Sequence, residues 1–472
     1  MTVTRTLLRG HRSRFALGLT VVALVALVFR LTLLANIAGH TPGSPSDPDF
    51  YHRQANMLVA GHGFPDPYLY DDTGRFEPVA IHPPLFTIWL AIPSVLGFDT
   101  LLAHKIMSCL AGVLAVVAAG LVGREAAGRR VGLVAAAIAA AYPPLWSIDG
   151  QLWPEGLFAA LVGFTVWAGI RAWREPGPRW ALITGALLGL AALTRGEGII
   201  LSFTLVVPLL LLRRGRAAGP SGAPGAPGAP GAPGDGDGVR DHRANVRDLV
   251  LAGLACAVVI APWTIRNVIQ FEEFVPISTN SDELLVYANN PYAYGQVEDG
   301  RFLGFWFYPW QEELRHRYYG GQEPPGDASQ RAKAWGEHGR RYARENLDRV
   351  PVVVAARLGR AWNLYAPFQN ASFDQIDGKS RAVSVASVWT WWAALALSIP
   401  GLVLLRRRGT TIIPFVGLAL TVSVSAVYAY GGNRFRTPLD MAVVVLSAVT
   451  LAAVVEKVRA RRHVPPPEGA VA

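Results

Sequence analysis

Carboxylates, arginines and histidines recur where apolar stretches of this chain begin or end, and their types suit one kind of chemistry. Asp47, Asp49, Tyr51, His52, Glu77 and His82 precede one apolar run, Asp149 and Glu155 precede another, and Arg195, Glu197, Arg266, Asn267, Arg434 and Arg436 stand at the edges of later ones. Arginines bind phosphate through paired donors, and a carboxylate beside them can take a proton from an incoming hydroxyl. The set therefore fits a reaction on a membrane-bound phosphodiester. Each residue also has a plain structural reading: arginines can snorkel to lipid headgroups, Glu155 can favour a helix N-terminus, and His82 can close a turn.

The elements that must position these groups are membrane helices. Of 472 residues, 51% are hydrophobic and 17% charged, a balance that excludes a disordered chain and argues against a soluble one. Apolar runs at about 15–38, 103–123, 131–147, 152–172, 179–194, 197–212, 248–267, 384–404, 411–430 and 438–455 can satisfy their backbones in lipid only as helices. The expected architecture is an all-α polytopic bundle of about 10 to 11 spans with a large outer-face loop domain. The run 83–98 holds Pro83, Pro84 and Pro93 and is expected to be re-entrant, because then every basic cluster falls on one side. That choice places both termini in the cytoplasm and the polar residues on the outer face. The first run is expected to remain as a signal anchor, since no small-residue cleavage site follows it.

The divisions follow from composition: a membrane block over 1–216 with an outer loop at 39–82, a flexible GAP-rich linker over 217–247, a helix at 248–267, an extracytoplasmic loop domain over 268–383, and terminal helices with a basic tail over 384–472. Within the loop domain, 328–362 has helical periodicity up to Pro351. Cys109 and Cys256 lie far apart in apolar runs, as buried thiols would. The net charge of +10 sits in short clusters between apolar runs, with no aromatic-basic groove for nucleic acid.

The stretch DPDFYHRQANMLVAGHGF (47–64) followed by HPPLF (82–86) resembles the first outer loop of the GT-C glycosyltransferases, in particular family 39 with the protein mannosyl and aminoarabinose transferases. YPPLWSIDGQLWPE (142–155), LTRGE (193–197), APWTIRN (261–267), FVPISTN (274–280) and GNRFRTP (432–438) continue the likeness in order. The resemblance implies transfer of a sugar from a polyprenyl-phosphate donor to a hydroxyl of a lipid, glycan or protein acceptor, with inversion and on the outer face of the membrane. It implies that Asp47, four residues before Tyr51, is the catalytic base. The relatives often carry Asp-Glu where this chain has Asp-Pro, so Asp49 stands as the understudy. It further implies that His82 faces donor phosphate or a metal, that Glu155 and Asp149 orient substrate, and that Arg195, Arg266 with Asn267, and Arg434 or Arg436 contact phosphate. His52, Glu77 and His82 are ligand types a divalent metal would accept, although their spacing fits no zinc pattern; the relatives differ in metal use, which leaves this open.

Two other classes compete. A transporter or lipid flippase would explain the helices without catalysis, but it calls for mid-span polar residues and two related halves, and neither is evident. A scaffold that binds lipid-linked sugar without turnover is disfavoured only by the retained Asp47, Arg266 and Glu155. The Ala/Arg/Gly-rich composition suggests a bacterial plasma membrane.

Overall fold

The computed structural model describes residues 2–37, 45–213, 242–297, 303–429 and 431–462. The GAP triplets of the expected linker lie outside these residues. The helix that follows begins at His242, ahead of the position expected from the apolar run.

The architecture is all-helical among the described residues, with a lone bridge between Pro65 and Pro78. Six helices are long and apolar enough to cross a membrane: Arg14–Asn36, Leu101–Ala127, Glu155–Arg174, His242–Gln270, Arg381–Arg407 and Asn433–Arg461. The chain is an integral membrane protein. The remaining expected spans are helical but shorter. Pro178–Thr194 and Ile413–Tyr428 are continuous. The run expected at 131–147 breaks at Tyr142 before Pro143, because a residue preceding proline is pushed out of helical conformation. The run expected at 197–212 passes from a 3₁₀ turn through a π-helical turn into α-helix. Pro84–Val95 is a 12-residue helix, about 18 Å long at 1.5 Å per residue and too short to cross a 30 Å hydrocarbon core.

Small residues bring the long helices close together. A side chain at Gly185 or Gly189 would collide with the Ala252 or Cys256 carbonyl of the His242–Gln270 helix, and one at Gly401 would strike the Leu446 carbonyl. Such contacts replace the hydrophobic effect, which cannot drive helices together in lipid. Leu101–Ala127 packs on Arg129–Ala141 and Glu155–Arg174, His242–Gln270 on Pro178–Thr194, and Arg381–Arg407 on Thr437–Arg462. Cys109 and Cys256 are free, buried thiols.

The bundle ends differ. At one end Arg171 and Arg174 pair with Glu125, and Arg213 with Asp248. The other end carries the loops. There the 328–362 stretch forms two helices, Ala328–Glu345 and Val350–Ala361, with Pro351 in the first turn of the second, where its missing N–H costs nothing. Arg331 pairs with Glu77 and ties this region to the first loop.

Candidate functional site

The first loop positions its carboxylates through one short helix, Asp47–Val59, opened by Ser46, whose hydroxyl accepts from the Asp49 amide at 3.4 Å. Two residues on a helix point about 200° apart, so Asp47 and Asp49 leave on opposite sides. Asp47 meets His82 Nε2 at 3.7 Å and an Arg434 Nη2 at 3.7 Å, and its side chain is 39% exposed. Asp49 instead lies in the electrostatic reach of His52, Arg53 and Tyr68. Helical phase thus turns Asp49, the expected understudy, away from His82 and Arg434 and toward His52, Arg53 and Tyr68.

Five charged residues from distant parts of the sequence, Glu155, Arg195, Glu197, Asp377 and Arg434, cluster beside Asp47, with Arg434 in contact with it. Glu155, at the first residue of its helix, has a fully buried side chain. It pairs with Arg195 and lies 3.9 Å from Arg434 Nε. Arg195 also meets Glu197 at 2.7 Å. The Arg434 guanidinium lies over the Trp153 ring at 4.2 Å and 3.5 Å from Asp377. Glu155 Oε2 is buried without a hydrogen-bond donor among the described residues. Leu152 holds a left-handed φ of 60°, which sets Trp153 against Arg434; a branched residue held there marks local strain.

Tyr51 stacks on His82 at 4.7 Å. Burial pushes the His82 imidazole below its ordinary value of 6.5, with Asp47 opposing, so the ring is neutral at pH 7. Burial and then Asp47 hold the Tyr51 hydroxyl well above its usual range. Asp47 thus faces the His82 ring and a partly exposed guanidinium, with its own side chain partly open to solvent.

The other expected site residues are placed elsewhere. Arg266 donates to the Val79 carbonyl at 3.1 Å and to Asn267 Oδ1 at 3.0 Å, and it lies over Trp263 at 4.9 Å. Asn267 donates to the Val275 carbonyl at 3.0 Å. Arg266 has no ion pair among the described residues, and its surroundings are the small apolar cluster of Phe50, Val79, Trp263 and Phe271. The WTIRN motif therefore fastens the first loop to a helix end. Asp149 forms a dry pair with Arg30 at 2.6 Å. Arg436 lies over the Trp391 ring at 3.9 Å and meets Asp440, which also accepts from the Tyr142 hydroxyl at 3.0 Å.

The metal candidates are drawn apart. His52 Nδ1 lies 2.9 Å from His104 Nδ1, Glu77 is held by Arg331, and His82 faces Asp47. Among the described residues no group of three His, Cys, Asp or Glu side chains could hold a metal ion. These three residues do not fit a common divalent ion.

Asp377, Asp374 and Lys379 were not singled out by sequence, yet they adjoin the cluster. Trp153 Nε1 donates to the Asp377 carbonyl at 3.1 Å, and Lys379 meets Asp374 at 3.5 Å. They lie between the FVPISTN and GNRFRTP motifs, in a stretch that none of the motifs covers.

Comparison with known proteins bears on this geometry. Residues 81–220 match the family model of dolichyl-phosphate-mannose-protein mannosyltransferases. Among curated proteins, none matches the sequence significantly. The archaeal oligosaccharyltransferase AglB from Archaeoglobus fulgidus, in complex with an inhibitory peptide and a dolichol-phosphate, is 15% identical with a TM-score of 0.51, over 98% of this chain and 53% of that one. Its apo form gives 15% identity and a TM-score of 0.50, over 95% of this chain and 51% of that one. The chain thus spans about half the length of that oligosaccharyltransferase. ArnT from Cupriavidus metallidurans bound to undecaprenyl phosphate is 16% identical with a TM-score of 0.38, over 97% of this chain and 81% of that one. The chain has a GT-C fold, and the resemblance read from its sequence holds in fold over nearly the whole chain and in family signature over 81–220.

Proposed function

We propose that this protein is a glycosyltransferase that moves a sugar from a polyprenyl-phosphate donor to a hydroxyl of a lipid, glycan or protein acceptor, on the outer face of a bacterial plasma membrane. The observation that carries the reading is the half-open carboxylate of Asp47, 3.7 Å from Arg434, which in turn adjoins the buried Glu155. Asp47 accepts the proton of the acceptor hydroxyl as its oxygen bonds to the anomeric carbon. The bond from that carbon to the phosphate oxygen breaks, and the electron pair leaves with the polyprenyl phosphate.

Arg434 and Arg195 stabilise the charge that gathers on the departing phosphate, and Glu155 holds both guanidinium groups in place. Asp47, Glu155, Glu197 and Asp377 surround these two arginines, so the phosphate competes with carboxylates already present. The contacts of Arg434 with Asp377, Asp47 and Glu155, at 3.5–3.9 Å, are ones a phosphate can displace. The reading is supported by the match to a mannosyltransferase family model and by the dolichol-phosphate bound to the oligosaccharyltransferase of similar fold.

The test is turnover in liposomes containing a panel of polyprenyl-phosphate sugars, followed by release of polyprenyl phosphate in mass spectrometry. Consumption of one donor supports the reading. The broken Gly196–Leu211 segment is a feature shared with transporters, so the same liposomes are assayed for lipid crossing; crossing without consumption of any donor would favour that alternative.

A further inference from the structure

We infer that residues 364–376 rest in the loop-side edge of the bilayer, with phospholipid covering their exposed apolar side chains. Leu364, Phe368, Ser372 and Ile376 all face outward, with Leu364 and Ile376 at 70% and 69% exposure and Phe368 at 48%. Phe368 and Ser372, four residues apart, share one face of the short Pro367–Phe373 helix. The inward side of this segment is fastened: Asn370 and Asp374 are buried, and Asn370 accepts from Arg360 at 2.7 Å. Three large apolar side chains out of four on one side of a loop segment mark a contact surface.

The depth of this surface follows from the membrane-spanning helix it leans on. Arg381–Arg407 runs into the basic triplet Arg406, Arg407 and Arg408, which marks one edge of the hydrocarbon. Counted back from Leu405, about 20 residues at 1.5 Å each cross a core of about 30 Å and reach the neighbourhood of Ala386. Trp389 and Trp392 therefore lie at the opposite edge, the level at which tryptophans gather in membrane proteins. The indoles of Trp391 and Trp392 donate to the Trp362 and Asn363 carbonyls at 2.9 and 3.0 Å. These two bonds fix the start of the 364–376 segment at that level.

Continuity with the span identifies the occupant. The exposed side of Arg381–Arg407 carries Trp389, Ile399 and Val403, and the Phe368 ring lies 6.3 Å from that of Trp389 and 6.1 Å from that of Trp392. Phe368 thus prolongs a lipid-facing stripe at the depth of the aromatic belt. Arg381 is exposed and lies about 8 Å beyond Ala386, at headgroup level. One residue after Ile376 comes Asp377, 3.5 Å from Arg434. Lipid contact at 364–376 therefore holds the Arg434 cluster at the level where membrane lipids carry their phosphates.

The experiment places a bimane label on the full chain in phosphatidylcholine liposomes, through Phe368→Cys or Ile376→Cys, with Ile399→Cys as the mid-span reference and Glu337→Cys as the aqueous one. All four positions are exposed, so the variants keep the fold, and monodisperse elution before reconstitution checks it. Cys109 and Cys256 are buried, and the wild-type chain treated alike supplies the background. Quenching is read with phospholipids brominated near the headgroup or deep in the acyl chain, and with aqueous iodide. Labels at 368 and 376 should be quenched by bromine several-fold more than the label at 337, and more by the shallow bromine than by the deep one, the reverse of the order at 399. Labels that respond to iodide as fully as the one at 337, and not to bromine, place the segment in water and overturn the inference. Labels screened from both quenchers reveal a protein cover, a second copy or another partner, and overturn it too. No reading here depends on turnover, so the inference stands or falls apart from the transferase proposal.

Discussion

Two sets of arginine–carboxylate pairs occupy this protein, and they differ in access and distance rather than in residue type. Arg30 and Asp149 meet at 2.6 Å with side chains each 1% exposed. Arg436 and Asp440 meet at 3.2 Å and are almost equally dry. Arg434, in contrast, keeps 3.5–3.9 Å from Asp377, Asp47 and Glu155 and is 20% exposed. Arg434 and Arg436 are two residues apart on one 3₁₀ turn, where a step of two turns the side chain by about 240°. One points to the mouth and the other into the bundle. The tight, desolvated Arg30–Asp149 and Arg436–Asp440 pairs hold helices together. Loose and accessible ones can exchange their partners for a substrate.

The largest expected effect is on turnover. Asp47→Asn removes the proton acceptor and should slow transfer by about 10²- to 10⁴-fold, the usual contribution of a positioned base, read as polyprenyl phosphate released per minute. Next is stability. Arg30→Met leaves Asp149 without its partner in the bundle, a loss of about 3–5 kcal/mol, seen as a lower thermal midpoint. The double replacement Arg30→Met with Asp149→Leu should recover most of it. An unchanged midpoint for Arg30→Met alone would erase the distinction between the two sets of pairs.

Arg434→Gln should lower kcat by roughly 10²-fold through lost stabilisation of the leaving phosphate, with little change in thermal midpoint; the opposite pattern would assign Arg434 to the structural set. Asp49→Asn, which removes no contact to His82 or Arg434, should keep turnover within about threefold of wild type, well short of the loss of a positioned base. The smallest effect concerns pH. His82 has a folded pKa below its unfolded value of 6.5 because it is buried, so the unfolded chain binds the proton more readily. Stability should therefore fall as pH drops from 6.5 toward the folded pKa. His82→Gln should flatten that slope, which thermal melts across the range would show.

Much of this was legible in the sequence. Apolar runs gave the helices, and Asp47, Glu155, Arg195 and Arg434 stood at their ends, where charges at a bundle mouth attract attention. Arg266 was legible as a motif but not as a position, since WTIRN fits a loop clasp as well as a phosphate contact; in the fold it bonds the Val79 carbonyl and Asn267. The separation of Asp47 from Asp49 needed only helical phase, once the loop was known to be helix there. Asp377 could not be found beforehand, because it reaches Arg434 through the packing of Trp153 and Gln151 against 377–378, a contact across more than 220 residues with no local pattern.

The most direct test of the central claim measures donor binding and donor turnover on the same Asp47→Asn preparation. A base acts in the transition state more than in the ground state. The variant should therefore bind polyprenyl-phosphate sugar within a few fold of wild type yet release almost no polyprenyl phosphate. Release at the wild-type rate by a folded, donor-binding Asp47→Asn protein would contradict it.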